Sequence, residues 1–139
     1  MLSDRKVGVL TFHRSINYGS YWQARCIVEG LRTRGYDAEL LDHECGRIRR
    51  RELSCALQPE LPQRTPRALL KDYAAKARRF AVAVGSLPLS RRFSIHEPQR
   101  GGEYDAIVVG SDEVWNFHHP WFGSKAIFFA AGLRAETLV

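Results

Sequence analysis

The pattern of residues 6–42 leaves this chain few folds to choose from. Lys6–Phe12 (KVGVLTF) is a short apolar run, partly β-branched, of the kind that forms a strand buried on both faces. A polar turn follows at His13–Ser20 (HRSINYGS). Tyr21–Arg34 then reads as a helix, with Trp22, Cys26, Ile27, Gly30 and Leu31 recurring on what the spacing predicts to be its buried face. Gly35 provides the left-handed residue that commonly ends a helix. Ala38–Asp42 (AELLD) is a second strand. Strand, turn, helix and strand in this order make a βαβ unit. Its right-handed crossover sets the two strands side by side and parallel.

A second block extends the same sheet. Tyr104–Gly110 (YDAIVVG) is a buried strand, Ser111–Asn116 (SDEVWN) a polar turn, Ile127–Ala131 a short apolar run, and Glu136–Val139 the start of a further strand. The expected fold class is α/β: a Rossmann-like parallel sheet of three or four strands flanked by helices. Between the blocks, residues 43–102 read as a basic insertion with one or two helices and mobile ends. Residues 46–100 carry thirteen Lys and Arg against four acids, while the rest of the chain has eight against eleven, so the net charge of +6 belongs to one segment. Pro66 opens a helix whose apolar stripe is Leu69, Leu70, Tyr73, Ala77 and Phe80, and Leu87-Pro88 and Glu97-Pro98 interrupt the pattern.

The 139 residues suffice for one domain with its own core, and 45% hydrophobic against 26% charged residues is ordinary globular composition. No apolar run approaches the roughly 20 residues of a membrane-spanning helix. The polar stretch Met1–Lys6 runs directly into the first strand, which predicts no secretory signal and a cytoplasmic chain. Cys26, Cys45 and Cys55 form no CxxC pair and are expected to be reduced, with Cys26 in the core. The five histidines lack metal-ligand spacing, so neither metal nor cofactor is expected.

Open parallel sheets bind ligands beyond the carboxyl ends of their strands, which draws attention to the two polar turns. In the first, Asn17 and Gly19 suit unusual backbone conformations. Ser20 can cap the helix, whose free N–H groups attract anions. Read structurally, this is only a well-capped turn. In the second, Asp112 can act as a base or bind a hydroxyl, and Trp115 can face a sugar ring. Alternatively Ser111 and Asp112 cap a helix and Trp115 is core.

Taken together, the two blocks resemble the polysaccharide pyruvyl transferase family. The opening block resembles its strand, N-[YW]-G-[AS] turn and following helix, carried here by Asn17, Tyr18, Gly19, Ser20 and Gln23. YDAIVVGSDEVWN resembles its D-x-[IV]-[IV]-x-G-S-D-Q-V-W-N signature, with Glu113 in place of the usual Gln. The resemblance implies a longer protein of two Rossmann-like domains, similar to the B-type glycosyltransferases, of which residues 1–139 are the partial amino-terminal domain. The implied reaction moves pyruvate from phosphoenolpyruvate to two hydroxyls of a sugar, in a cell-surface glycan or a lipid-linked acceptor, forming a cyclic ketal. The implied place is the cytoplasm, or the inner face of the membrane. The substrate-binding residues it implies are His13, Asn17, Tyr18, Gly19, Ser111, Asp112, Trp115 and Asn116, as the acceptor-side wall of a cleft holding Asn17 and Asp112. No catalytic residue maps onto this chain, which is expected to be inactive alone. Two other readings stay open: a non-catalytic binding module, and a nucleic-acid-binding α/β domain, though no nucleic acid is the expected partner. An unfinished sheet edge at the carboxyl end predicts self-association.

Overall fold

The structure is a computed structural model, and it describes residues 4–110, 112–123 and 125–139. Four parallel strands form the main sheet: β1 (Lys6–Leu10), β2 (Asp37–Leu40), β5 (Glu103–Val109) and β6 (Arg134–Leu138), in the order β2-β1-β5-β6. The chain is therefore an α/β, Rossmann-like unit with β1 and β5 at its centre. β6 begins two residues before the expected Glu136 and forms one edge.

Alternation along β1 divides the core between the two sheet faces. Val7 and Val9 point to the side of α1 (Tyr18–Thr33), where they meet Ala24, Val28, Ala38 and Leu40. Leu10 joins Leu41, Ile107, Phe122 and Phe128 in the second cluster. Gly8 belongs to that second face because there is no room for more: a Cβ there would stand 3.0 Å from Leu41 and 3.3 Å from Ile107. Burying each of the larger aliphatic side chains is worth about 1.5–3 kcal/mol, so both faces stabilise the sheet.

α1 departs from the expected phase. It starts at Tyr18, because Asn17 rather than Ser20 is its cap: the Asn17 side chain accepts from Gly19 N–H (2.7 Å) and Ser20 N–H (3.3 Å). Its buried residues are Ala24 and Val28, with Tyr21, Ile27 and Leu31 partly covered. Trp22 and Cys26 lie two residues before each of these, about 200° around the helix, and both are exposed. The expected buried face was thus rotated toward the larger side chains, and Cys26 is a surface residue.

Residues 43–102 hold two α-helices, within the one or two expected of this basic segment. After β3 (His43–Glu44) comes α2 (Gly46–Leu57), an arginine-rich helix whose one buried residue is Ile48. A short 3-10 turn behind Pro66 leads into α3 (Leu70–Gly85), which buries Phe80 and Val84. β4 (Phe93–Ser94) then pairs in parallel with β3, and a bridge between Leu40 and Leu89 continues that pairing back along β2. The segment is therefore built into the second core cluster, to which it contributes Ile48, Phe93 and Ile95.

Candidate functional site

All strands of the main sheet are parallel, so their carboxyl ends share one edge. β1 and β5 are neighbours there: Leu10 pairs with Val109, and Gly110 N–H donates to Leu10 O at 3.0 Å. The two polar turns singled out in the sequence consequently leave the sheet side by side.

The first turn is organised by a carboxylate from the next strand. Asp42, two residues past the end of β2, is only 3% exposed. It accepts from Arg14 Nε (2.5 Å) and Nη2 (2.8 Å) in a two-point ion pair, and from Arg92 Nε at 3.2 Å. His13 Nε2 stands 3.1 Å from the same carboxylate, and Ser90 Oγ receives the Asp42 N–H at 2.9 Å. Burial pushes the Asp42 carboxyl upward, but hydrogen bonds from His13 and Arg14 and the positive charge of Arg14 outweigh it and hold the group well below the usual carboxylate range. Next to it, His43 is buried and bonds Thr11 O through Nε2 at 2.8 Å. Burial, with smaller contributions from the neighbouring His13 and Arg14, lowers its pKa to about 3, so the ring is neutral. The ring of His13 lies edge-on to His43 with centroids 5.2 Å apart.

Beside this cluster opens a cavity of about 170 Å³ between the carboxyl edge and the helix pair α2 and α3. Its walls are apolar, including Phe12, Ile48, Phe80 and Ile95, while Arg14, Arg49, Arg92, Glu44 and Glu52 supply charge. Glu52 is partly buried and accepts the Ile16 N–H at 3.1 Å, tying α2 to the first turn. Burial raises its pKa against the lowering effect of the Ile16 and Ser15 hydrogen bonds. Such a cavity has room for the apolar body of a small ligand.

The expected binding residues fall into several roles. His13 is fully buried, with its ring between Thr11 O and Asp42, so it braces the turn and does not line the cavity. The Asn17 side chain is taken up by the helix cap, and neither Asn17 nor Gly19 lines the cavity; Ser15 and Ile16 do. The cavity lies on the α2 side of the first turn. Tyr18 is exposed and packs its ring on Phe80 with centroids 4.9 Å apart, beneath Lys76. Ser111 lies outside the described residues. Asp112 begins a 3-10 turn, Asp112–Trp115, and not an α-helix. Trp115 is 57% exposed, anchored by a 3.0 Å bond from Nε1 to Phe128 O, which excludes the core reading of this residue. Asn116 is exposed and accepts the His118 N–H at 3.0 Å.

Arg14, Asp42, His43 and Arg92 were not singled out in the sequence. One signal was available: Asp42 and His43 close an apolar strand at its carboxyl end, the place where the same rule had marked the other two turns. Arg92, fifty residues further on, carried no such signal.

A family model described as polysaccharide pyruvyl transferase matches residues 17–136, from the cap of α1 into β6. Neither a curated protein nor a solved structure matches the chain significantly.

Proposed function

The chain belongs to the polysaccharide pyruvyl transferase family, and from that premise we propose that it forms the acceptor-side wall of an enzyme that builds a pyruvate ketal on a sugar from phosphoenolpyruvate. The observation that carries this reading is the convergence of both family turns on the carboxyl ends of the adjacent strands β1 and β5. In this reading Trp115 offers its exposed ring face to a pyranose, and Asp112 and Asn116 offer hydrogen bonds to its hydroxyls. His13, Asn17 and Gly19 act one step back, by fixing the first turn. The acceptor is a cell-surface glycan or its lipid-linked precursor, handled on the cytoplasmic side of the membrane.

The donor makes a different demand. Phosphoenolpyruvate carries a phosphate and a carboxylate, and both need cations in a dry site. On this edge Arg14 and Arg92 are already paired with Asp42, and Arg92 also approaches Glu44 at 3.8 Å. The proposal therefore assigns sugar binding to this chain and donor activation to groups outside it, with no turnover by the 139 residues alone.

The test is to titrate the chain with acceptor oligosaccharides, following the Trp115 indole by NMR, and to assay phosphate release from phosphoenolpyruvate in the same samples. Indole shifts without phosphate release are expected. Release by the chain alone would overturn the division of labour. A Trp115 signal unmoved by every sugar would sink the acceptor assignment.

A further inference from the structure

The basic charge of residues 46–100 is not consumed inside the fold. On α3, Lys71, Arg78 and Arg79 are exposed, and none forms an ion pair with another described residue. Spacings of seven, eight and eleven residues place them with Val82 on one outward face, opposite the buried Phe80 and Val84. Val82 is 75% exposed, and with Ala75 and Ala83 it floors a shallow groove bordered by Arg78 and Arg79. The segment leading into the helix repeats the combination: Leu61 (59% exposed) and Leu69 (43%) bracket Arg64 and Arg67. Among the described residues no helix is long and apolar enough to cross a membrane.

We infer that the outward face of α3, with the segment from Leu61 to Leu69 before it, docks on an anionic lipid bilayer. Cations ringed around exposed aliphatic side chains are the pattern by which a helix lies in a membrane interface: the aliphatics enter the acyl boundary and the cations meet lipid phosphates. A second copy of the same face is disfavoured by like charge. Nucleic acid is a poorer fit because leucine and valine gain nothing from phosphates. The exposed aromatics that would stack on bases, Tyr18, Trp22, Trp115, Phe117 and Phe129, all sit outside this face. The inference rests on the proposed function only for placement at a membrane-borne acceptor; charge and exposure carry the rest.

The experiment is co-sedimentation of the chain with vesicles of phosphatidylglycerol and phosphatidylcholine, against pure phosphatidylcholine. Binding to the anionic vesicles alone is expected, weakening with salt. The variant Lys71→Glu/Arg78→Glu/Arg79→Glu should lose at least about 100-fold in partitioning, since each surface cation contributes roughly fivefold. Val82→Ser should bind more weakly at high salt while keeping the electrostatic part. All four positions are exposed, so circular dichroism should show an unchanged fold. Equal binding to both vesicle types, or an unaffected triple variant, overturns the inference. Tighter binding to DNA or to polyglutamate than to vesicles would assign the face to nucleic acid or to an acidic protein instead. Sugar binding without vesicle binding sinks this inference alone, and vesicle binding without sugar binding sinks the proposed function alone.

Discussion

Replacing Asp42 with Asn should destabilise the chain by about 3 kcal/mol. The substitution preserves size and one acceptor oxygen, but it removes the negative charge that faces His13, Arg14 and Arg92. Breaking a buried ion pair from one side costs about 3–5 kcal/mol, because the partner is left buried without compensation. Here the Arg14 side chain is 32% exposed and the Arg92 side chain 47%, and solvent relieves part of that penalty, which selects the lower end. Arg92→Ala, by the same argument, should cost no more than about 1 kcal/mol. The assay is urea unfolding followed by far-ultraviolet circular dichroism; in thermal unfolding the Asp42→Asn loss corresponds to a fall of roughly 10 °C. The pH dependence carries a sign. The folded-state pKa of Asp42 lies below its ordinary value of 3.8, so its stabilisation is complete above that value and is lost as pH falls through the folded pKa. The gap between wild type and Asp42→Asn should therefore be constant near neutrality and shrink in strong acid. A loss under about 1 kcal/mol, or a gap unchanged on acidification, would refute the account of Asp42 as the charge that holds the carboxyl edge together.

Two further outcomes test the neighbouring residues. With its pKa lowered from 6.5 to about 3, His43 contributes stability that is full above 6.5 and declines as pH falls toward 3. Its ring resonances should not titrate between pH 7 and about pH 4, and a midpoint near 6.5 would contradict the buried, neutral ring. Asn17→Ala should cost about 1 kcal/mol as a lost helix cap and leave the affinity of the stable fraction for sugars unchanged; a loss of affinity without a loss of stability would make Asn17 a ligand contact instead.

The sequence alone carried the parallel α/β architecture, because short apolar runs bounded by turns and a βαβ crossover are local patterns with one handed solution. It also located the two turns at the carboxyl edge, since that follows from strand direction once the strands are parallel, as the pairing of β1 with β5 shows. It misjudged the buried face of α1, because hydrophobic size does not say which stripe meets the sheet: Ala24 and Val28 fit the close packing there, and the bulky Trp22 is left outside. α2 escaped notice because a helix held to the core chiefly through Ile48 shows almost no apolar period. The site itself was decided by tertiary structure. Asp42 becomes a hub only when β2 ends beside the first turn and β4 brings Arg92 across from fifty residues away. Contacts between distant segments have no local signature. Burial then strengthens each of those charges' dependence on the others, and so the folded arrangement, and not the residue types, fixes which of them remains available to a ligand.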